Sequence, residues 1–297
     1  MQQNIHSFTP TNGKDRCKLC LSYCGPIYLV VVILSFLGAY AAFFIGLCLR
    51  YPTSWKLAVC ISCLFTGAVL AGILIFTLLR AVFTPAGYVP QSPWQYPPRY
   101  IGECPGFVPP SGEGVGENPN TVRQLDRHNQ LRYCTACKQF KPDRAYHCES
   151  CERCTFDFDH HCPVLNNCIG RGNYKMFVLF LCYVPIVGCV LGGLMFVGFF
   201  VVDEAEPAVA WMVFAMIMMI FCAVIGIFGC VHLCWLCRGE STMGRHVSSF
   251  NKQRGRSKEE RAREREEHCN AVCGVRRVWW RLVMPVLPLR EEAASLV

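Results

Sequence analysis

IYLVVVILSFLGAYAAFFIGLCL, residues 27–49, contains no Asp, Glu, Lys or Arg. At about 1.5 Å of rise per residue, a helix of that length exceeds the roughly 30 Å hydrocarbon core of a bilayer. Buried helices of soluble proteins give shorter apolar runs, about 10–14 residues. Three further stretches share the property: Leu57–Leu79, Met176–Val202 and Val209–Cys237. The composition agrees, because 53% of the 297 residues are hydrophobic and 17% charged, which is too apolar for an ordinary soluble domain. The expected fold is an α-helical polytopic membrane protein with four transmembrane helices. The first 25 residues are polar and lack a short apolar segment with a small-residue cleavage site, so residues 27–49 are expected to be a retained first span.

Lys and Arg set the expected orientation. Three precede the first span, two lie in the turn Arg50–Lys56, eleven in the loop Arg80–Lys175 and thirteen after Cys237. The short loop Asp203–Ala208 has none and carries three acids instead. The positive-inside rule then places both termini and the long loop in the cytosol. The net charge of +8 is accounted for by cytosolic flanks facing anionic lipid, and no nucleic acid is needed. The expected location is a multi-pass endomembrane protein of the endoplasmic reticulum or Golgi, with the plasma membrane also compatible with spans of this length.

The chain divides into a cytosolic N-terminus (1–25), transmembrane helices 1 and 2 (26–79), a Pro/Gly-rich loop without a packed core of its own (80–130), a cysteine-rich segment (131–175), transmembrane helices 3 and 4 (176–237) and a cytosolic tail (238–297). In the tail, Lys252–His268 is a mixed charge run. Beyond it Val272, Val275, Trp279 and Leu282 recur at helical spacing with Arg276, Arg277 and Arg281 between them. That pattern suits a helix at the membrane surface or one packed on the cysteine-rich module.

The chemistry concentrates in that module. Between Tyr133 and Asn173 lie seven cysteines and three histidines. Cys134/Cys137, Cys148/Cys151 and Cys151/Cys154 all have the C-x2-C spacing that lets two thiolates share one tetrahedral zinc. On the reducing side of a membrane such a cluster reads as metal-binding or catalytic, not as a disulfide framework. A module this small needs metal to hold a fold. Two closed four-ligand sites would take eight of the ten candidates and leave two. The stretch DFDHHCPVLNNC, Asp157 to Cys168, bears on which two. Neighbouring side chains in extended backbone point to opposite sides, so His160 and His161 are expected to serve different purposes. If His161 turns into the module, His160 and Cys162 face the other way together, with Asp159 adjacent to fix the imidazole. Those are the parts of an activated thiolate. A Cys162 that serves as a spare or third-site ligand is the competing reading. Met176 begins the third span about 14 residues beyond Cys162, which puts the thiol near the membrane boundary and suits acyl transfer.

Arg132–Phe177 resembles the cysteine-rich domain of the DHHC protein S-acyltransferases (palmitoyltransferases). The resemblance is carried by Cys134/Cys137, KPDRAYHC from Lys141 to Cys148, DHHC at Asp159–Cys162, NNCIG from Asn166, and G-x-x-N-x-x-x-F from Gly170 to Phe177. It implies one zinc site of Cys134, Cys137, His147 and Cys154, and a second of Cys148, Cys151, His161 and Cys168. It implies Cys162 as nucleophile, His160 as general base and Asp159 as its orienter. The implied reaction takes a long-chain acyl group from acyl-CoA onto Cys162 and passes it to a cysteine of a membrane-associated substrate protein. Three positions depart from the family's pattern. Val164 stands where Trp is usual, Thr84–Gly87 reads TPAG, and Ser241–Gly244 reads STMG, which keeps Thr242 as support for Asp159 but lacks the glutamate. The competing function is a membrane-anchored zinc scaffold with weakened or no transfer activity. A RING-like ubiquitin ligase gives no account of DHHC beside a span.

Outside this core, Lys138, Lys141, Arg144, Arg171 and Lys175 form a basic collar. Lys141, Arg144, Arg171 and Lys175 are the candidates to meet CoA phosphates. Cys17, Cys20 and Cys24 flank the first span, and Cys234 and Cys237 end the fourth; such juxtamembrane thiols are acylation candidates. His232, inside the fourth span, is polar in hydrocarbon and is expected to face the bundle interior.

Overall fold

A computed structural model describes residues 13–52, 55–202, 209–243, 258–273 and 283–284. The described helices are α1 (Gly13–Arg50), α2 (Trp55–Phe83), α3 (Tyr174–Val197), α4 (Val209–Arg238) and α5 (Lys258–Cys273). A π-helical turn, Gly198–Val202, continues α3. Among the described residues, four segments are long and apolar enough to cross a membrane: Cys24–Arg50, Trp55–Phe83, Tyr174–Phe200 and Val209–Arg238. They contain the four charge-free stretches almost entirely, and charged residues mark the ends: Arg50, Lys56 and Arg238 lie within the last turn or first turn of a span. Apolar side chains such as Phe65, Phe200 and Ile220 point outward and stay exposed, a surface that lipid and not water tolerates.

The bundle buries Tyr40, Phe43 and Phe44 of α1, Leu74 and Leu78 of α2, Leu191 and Met195 of α3, and Ala215, Met218 and Cys222 of α4 in one apolar cluster. The α3 helix packs on both α2 and α4. A side chain at Gly188 would begin 2.0 Å from the Cys222 sulfur, so the α3–α4 crossing depends on a missing Cβ, as close helix pairs in membranes commonly do. The Tyr40 hydroxyl donates to the Cys63 carbonyl at 2.8 Å, which satisfies a polar group at bilayer depth.

Between α2 and α3 lie eight strands of two or three residues. Strands β1 (Arg99–Tyr100) and β2 (Thr121–Val122) pair in parallel. Then come three antiparallel hairpins: β3 (Tyr133–Cys134) with β4 (Gln139–Phe140), β5 (Tyr146–Cys148) with β6 (Arg153–Thr155), and β7 (His160–Cys162) with β8 (Asn167–Ile169). Such short ladders are far below what holds an isolated hairpin in water. The turns are also costly. Lys138, Glu152 and Asn166 adopt left-handed backbone, with φ of 53°, 53° and 47°, at about 1–2 kcal/mol each for an L-residue. Something other than the ladder must fix them.

The Pro/Gly-rich segment contributes to this module. Val89 and Trp94 pack with Val122, Cys134, Ala145 and Cys154 in one small cluster. The Val89 amide donates to the Cys154 carbonyl at 2.9 Å, and the Phe140 amide to that of Trp94 at 2.7 Å. Helix α5 docks against the module and the bundle through buried His268 and Val272, and the Cys269 thiol reaches the Leu236 carbonyl at 3.4 Å. Val272 of the amphipathic tail pattern thus packs inward, while Val275, Trp279, Leu282, Arg276, Arg277 and Arg281 lie outside the described residues.

Candidate metal centres and thiol site

The hairpins bring eight ligands together in two groups. Cys134, Cys137, His147 and Cys154 form one, and Cys148, Cys151, His161 and Cys168 the other, with the ligand atoms of each group all within 4.8 Å of one another. Pairing explains the convergence, because His147 lies opposite Cys154 across β5–β6 and His161 opposite Cys168 across β7–β8. His147 Nδ1 is 3.5 and 3.2 Å from the sulfurs of Cys134 and Cys137. In the second group His161 Nδ1 is 3.5 Å from the Cys151 sulfur, and the Cys151 and Cys168 sulfurs are 3.3 Å apart. Ligands at about 2.0–2.3 Å from a tetrahedral ion are separated by such distances, and a thiolate-rich set with one imidazole suits zinc. Both groups therefore fit a closed metal site.

The other face of β7 carries different chemistry. His160 and Cys162 flank His161 and project away from the metal group, and the Cys162 thiol is near enough to act on the His160 imidazole. Asp159, 1% exposed, accepts from His160 Nδ1 at 2.7 Å. Its carboxylate also accepts from the Thr242 amide at 2.6 Å and the Thr242 hydroxyl at 3.0 Å. Thr242 follows the end of α4, so two distant parts of the chain fix one carboxylate. Cys162 is 8% exposed and belongs to the same apolar cluster as the membrane helices. Helix α1 closes on this site from the other side, where a Cβ at Gly25 would fall 2.0 Å from the Pro163 carbonyl oxygen.

Electrostatics favour a charged pair. Burial disfavours the His160 imidazolium, but the hydrogen bonds and charges of Asp159 and Cys162 outweigh it and push the group up to about 9. Burial likewise works against the Asp159 carboxylate, yet His160 and the Thr242 amide hold it below the usual range. The proton is thus stabilised on His160, between a carboxylate and a sulfur.

A family model described as DHHC palmitoyltransferase matches residues 127–249. Over those 123 of its 297 residues the chain is similar to that family. The chain is 38% identical over 117 residues to palmitoyltransferase ZDHHC14 of Danio rerio, an alignment covering 39% of this chain and 23% of that protein. It is 36% identical over 104 residues to probable protein S-acyltransferase 16 of Arabidopsis thaliana, covering 34% of this chain and 36% of that one. A longer match, 27% identical over 247 residues, links it to palmitoyltransferase ZDHHC15 of Xenopus laevis and covers 75% of this chain and 67% of that one. The chain thus spans about a quarter to a third of the length of the first two relatives.

Within the DHHC domain the basic collar divides. Arg144 Nε lies 3.0 Å and Arg171 Nε 2.6 Å from the two oxygens of Asp157. Arg144 also reaches His268 Nδ1 of α5 at 3.0 Å. Lys175 is buried, and Lys141 keeps part of its side chain in solvent. Burial would raise the Asp157 carboxyl, but Arg171 and Arg144 hold it down at about 2. Sequence reasoning assigned no role to Asp157, and nothing local signals one, because its partners come from three separate segments. It also missed the asparagines that dock the DHHC domain on α2. The Asn167 amide donates to the carbonyls of Val82 and Thr84 at 3.0 Å each, and Asn173 to Thr84 at 3.3 Å and Cys168 at 2.8 Å. The family's NNCIG and G-x-x-N patterns contain both residues, so the signal was present without its partner.

Proposed function

We propose that the protein is a protein S-palmitoyltransferase that works through Cys162. The observation that carries this is the alternation along β7. It leaves one thiol and one imidazole off the metal group, two residues apart on one strand, with Asp159 and Thr242 behind the imidazole. The names of the relatives, palmitoyltransferases and an S-acyltransferase, support the same reading. The Cys162 sulfur attacks the thioester carbonyl of a long-chain acyl-CoA, the carbon–sulfur bond to CoA breaks, and His160 delivers its proton to the departing thiolate. A substrate-protein cysteine then attacks the Cys162 thioester. His160 takes that thiol's proton and the Cys162 thiolate leaves. Asp159 keeps the imidazole oriented throughout.

Cys134, Cys137, His147 and Cys154, and Cys148, Cys151, His161 and Cys168, would hold two structural zinc ions. Their contribution is to fix the hairpins and hence the β7 register. Lys141, with the solvent-facing parts of Arg144 and Arg171, would meet the CoA phosphates, and buried Lys175 would act from beneath them. The charge distribution supports cytosolic termini and a cytosolic DHHC domain in an endomembrane. The substrates are then membrane-associated proteins with cysteines close to the cytosolic surface. The purified protein, given a clickable long-chain acyl-CoA, should acquire a hydroxylamine-sensitive label that Cys162→Ser lacks. Undiminished label on a folded Cys162→Ser protein would overturn the assignment. Two bound zinc ions with no label on the wild type would favour the scaffold reading.

A further inference from the structure

His232 lies in the membrane bundle, 2% exposed, on the face of α4 that also presents Phe228 and Trp235. A polar ring at that depth is costly unless it is bonded. Its partner is Tyr174, the first residue of α3, whose hydroxyl is 3.2 Å from His232 Nδ1 and 3.5 Å from the His232 carbonyl. The bonded imidazole meets the Phe177 ring edge-on, with centroids 5.1 Å apart at 89°. Phe177 in turn meets the His160 ring edge-on, at 5.4 Å and 68°. The His160 and His232 centroids are themselves 6.2 Å apart. The imidazole of the thiol site therefore rests on a floor of two rings, and that floor is set by one hydrogen bond between α3 and α4.

The geometry points to His232 as a positioning residue for the transfer reaction: tied to Tyr174, it holds Phe177 under the His160 ring and so fixes the direction in which that ring faces Cys162. This rests on the acyltransferase reading above. Packing alone does not account for the residue. An apolar side chain would fill the space between Phe177, Phe228 and Trp235 without a buried polar atom to satisfy, so the hydrogen bond is the feature that distinguishes histidine here. Asp159 holds Nδ1 of His160, and that bond alone leaves the swing of the ring about it to be limited by packing. The Phe177–His232 floor removes the swing. Misplacement of a reacting group by about 1 Å costs on the order of a hundredfold in rate, so a loosened ring should show in turnover and not in donor binding.

The test compares His232→Leu, His232→Asn and Tyr174→Phe with the wild type in detergent or nanodiscs. It follows the rate of Cys162 acylation by palmitoyl-CoA at saturation and the concentration giving half that rate. His232→Leu and Tyr174→Phe should slow the saturated rate about ten- to a hundredfold, leave the half-saturating concentration unchanged and retain two zinc ions per chain. His232→Asn, whose amide can replace either role of Nδ1, should recover most of the rate. Tyr174→Phe removes a single oxygen, so it serves if His232→Leu does not fold. Wild-type rates in Tyr174→Phe, or a loss in His232→Asn equal to that in His232→Leu, would overturn the proposal. So would slowing that appears only with loss of zinc. A wild type unlabelled at Cys162 would instead overturn the acyltransferase reading itself.

Discussion

Thr242 gives Asp159 two hydrogen bonds, one from its amide and one from its hydroxyl, and only the second depends on the side chain. Thr242→Ala should therefore weaken the support without abolishing it. A hydrogen bond to a charged group contributes about 1.5–3 kcal/mol, so the acylation rate should fall on the order of tenfold, while Thr242→Ser stays near wild type in the same single-turnover assay. Asp157 has no such reserve. It is buried between Arg144 and Arg171, and Asp157→Asn leaves two guanidinium groups without their counter-charge. Breaking a buried pair in this way costs about 3–5 kcal/mol, which a melting curve of the purified protein would show. His268 adds a pH dependence of definite sign. Burial, then the charge of Arg144, lowers it from 6.5 to about 4 despite Asp157. A group kept neutral in the fold stabilises fully above 6.5, and that contribution is lost as pH falls toward 4. Amide exchange in residues 258–273 should accelerate over that window, and His268→Asn should flatten the response.

At the scale of elements, strand β7 turns His161 to the metal group and leaves His160 and Cys162 outside it, and that alternation is legible in the sequence. A period of two separates His161 from His160 and Cys162 whatever the surroundings, and the count of ligands left two residues over. The spans were equally legible, because charge-free stretches of that length have few alternatives. What could not be read was who meets whom across the chain. Tyr174 and His232 are 58 residues apart, and Arg144 and His268 are 124 apart. No local pattern encodes such a meeting, since it follows from how α3, α4 and α5 pack. The pairs of Arg144 and Arg171 with Asp157 show the same limit, because no local pattern announces that the two arginines share one carboxylate. The strand also yields a clean separation of roles. His161→Ala should lower the zinc content by about one ion per chain and lose acylation with it. His160→Ala should keep both ions, measured by atomic absorption, and lose acylation alone.

For the molecule as a whole, two kinds of stability coexist. The bundle is held by an apolar cluster spanning all four membrane helices. The DHHC domain has strands of two or three residues, left-handed turns and two thiolate-rich clusters. Removing metal with a strong chelator should therefore open residues 131–173 to protease while helical circular dichroism changes little. Parallel loss of helix and protease protection would mean that the domain and the bundle fold as one unit.

The docking of the domain on Thr84 has a consequence for whatever it acts upon. Asn167 and Asn173 pin it to the end of α2, and its last residues run directly into α3. Its place on the bundle is thus tied to the ends of two helices. On the proposed function, a reagent held in this way would select by reach: an incoming thiol would qualify by its distance from the bilayer, and the residues around it would need to supply little more than slack.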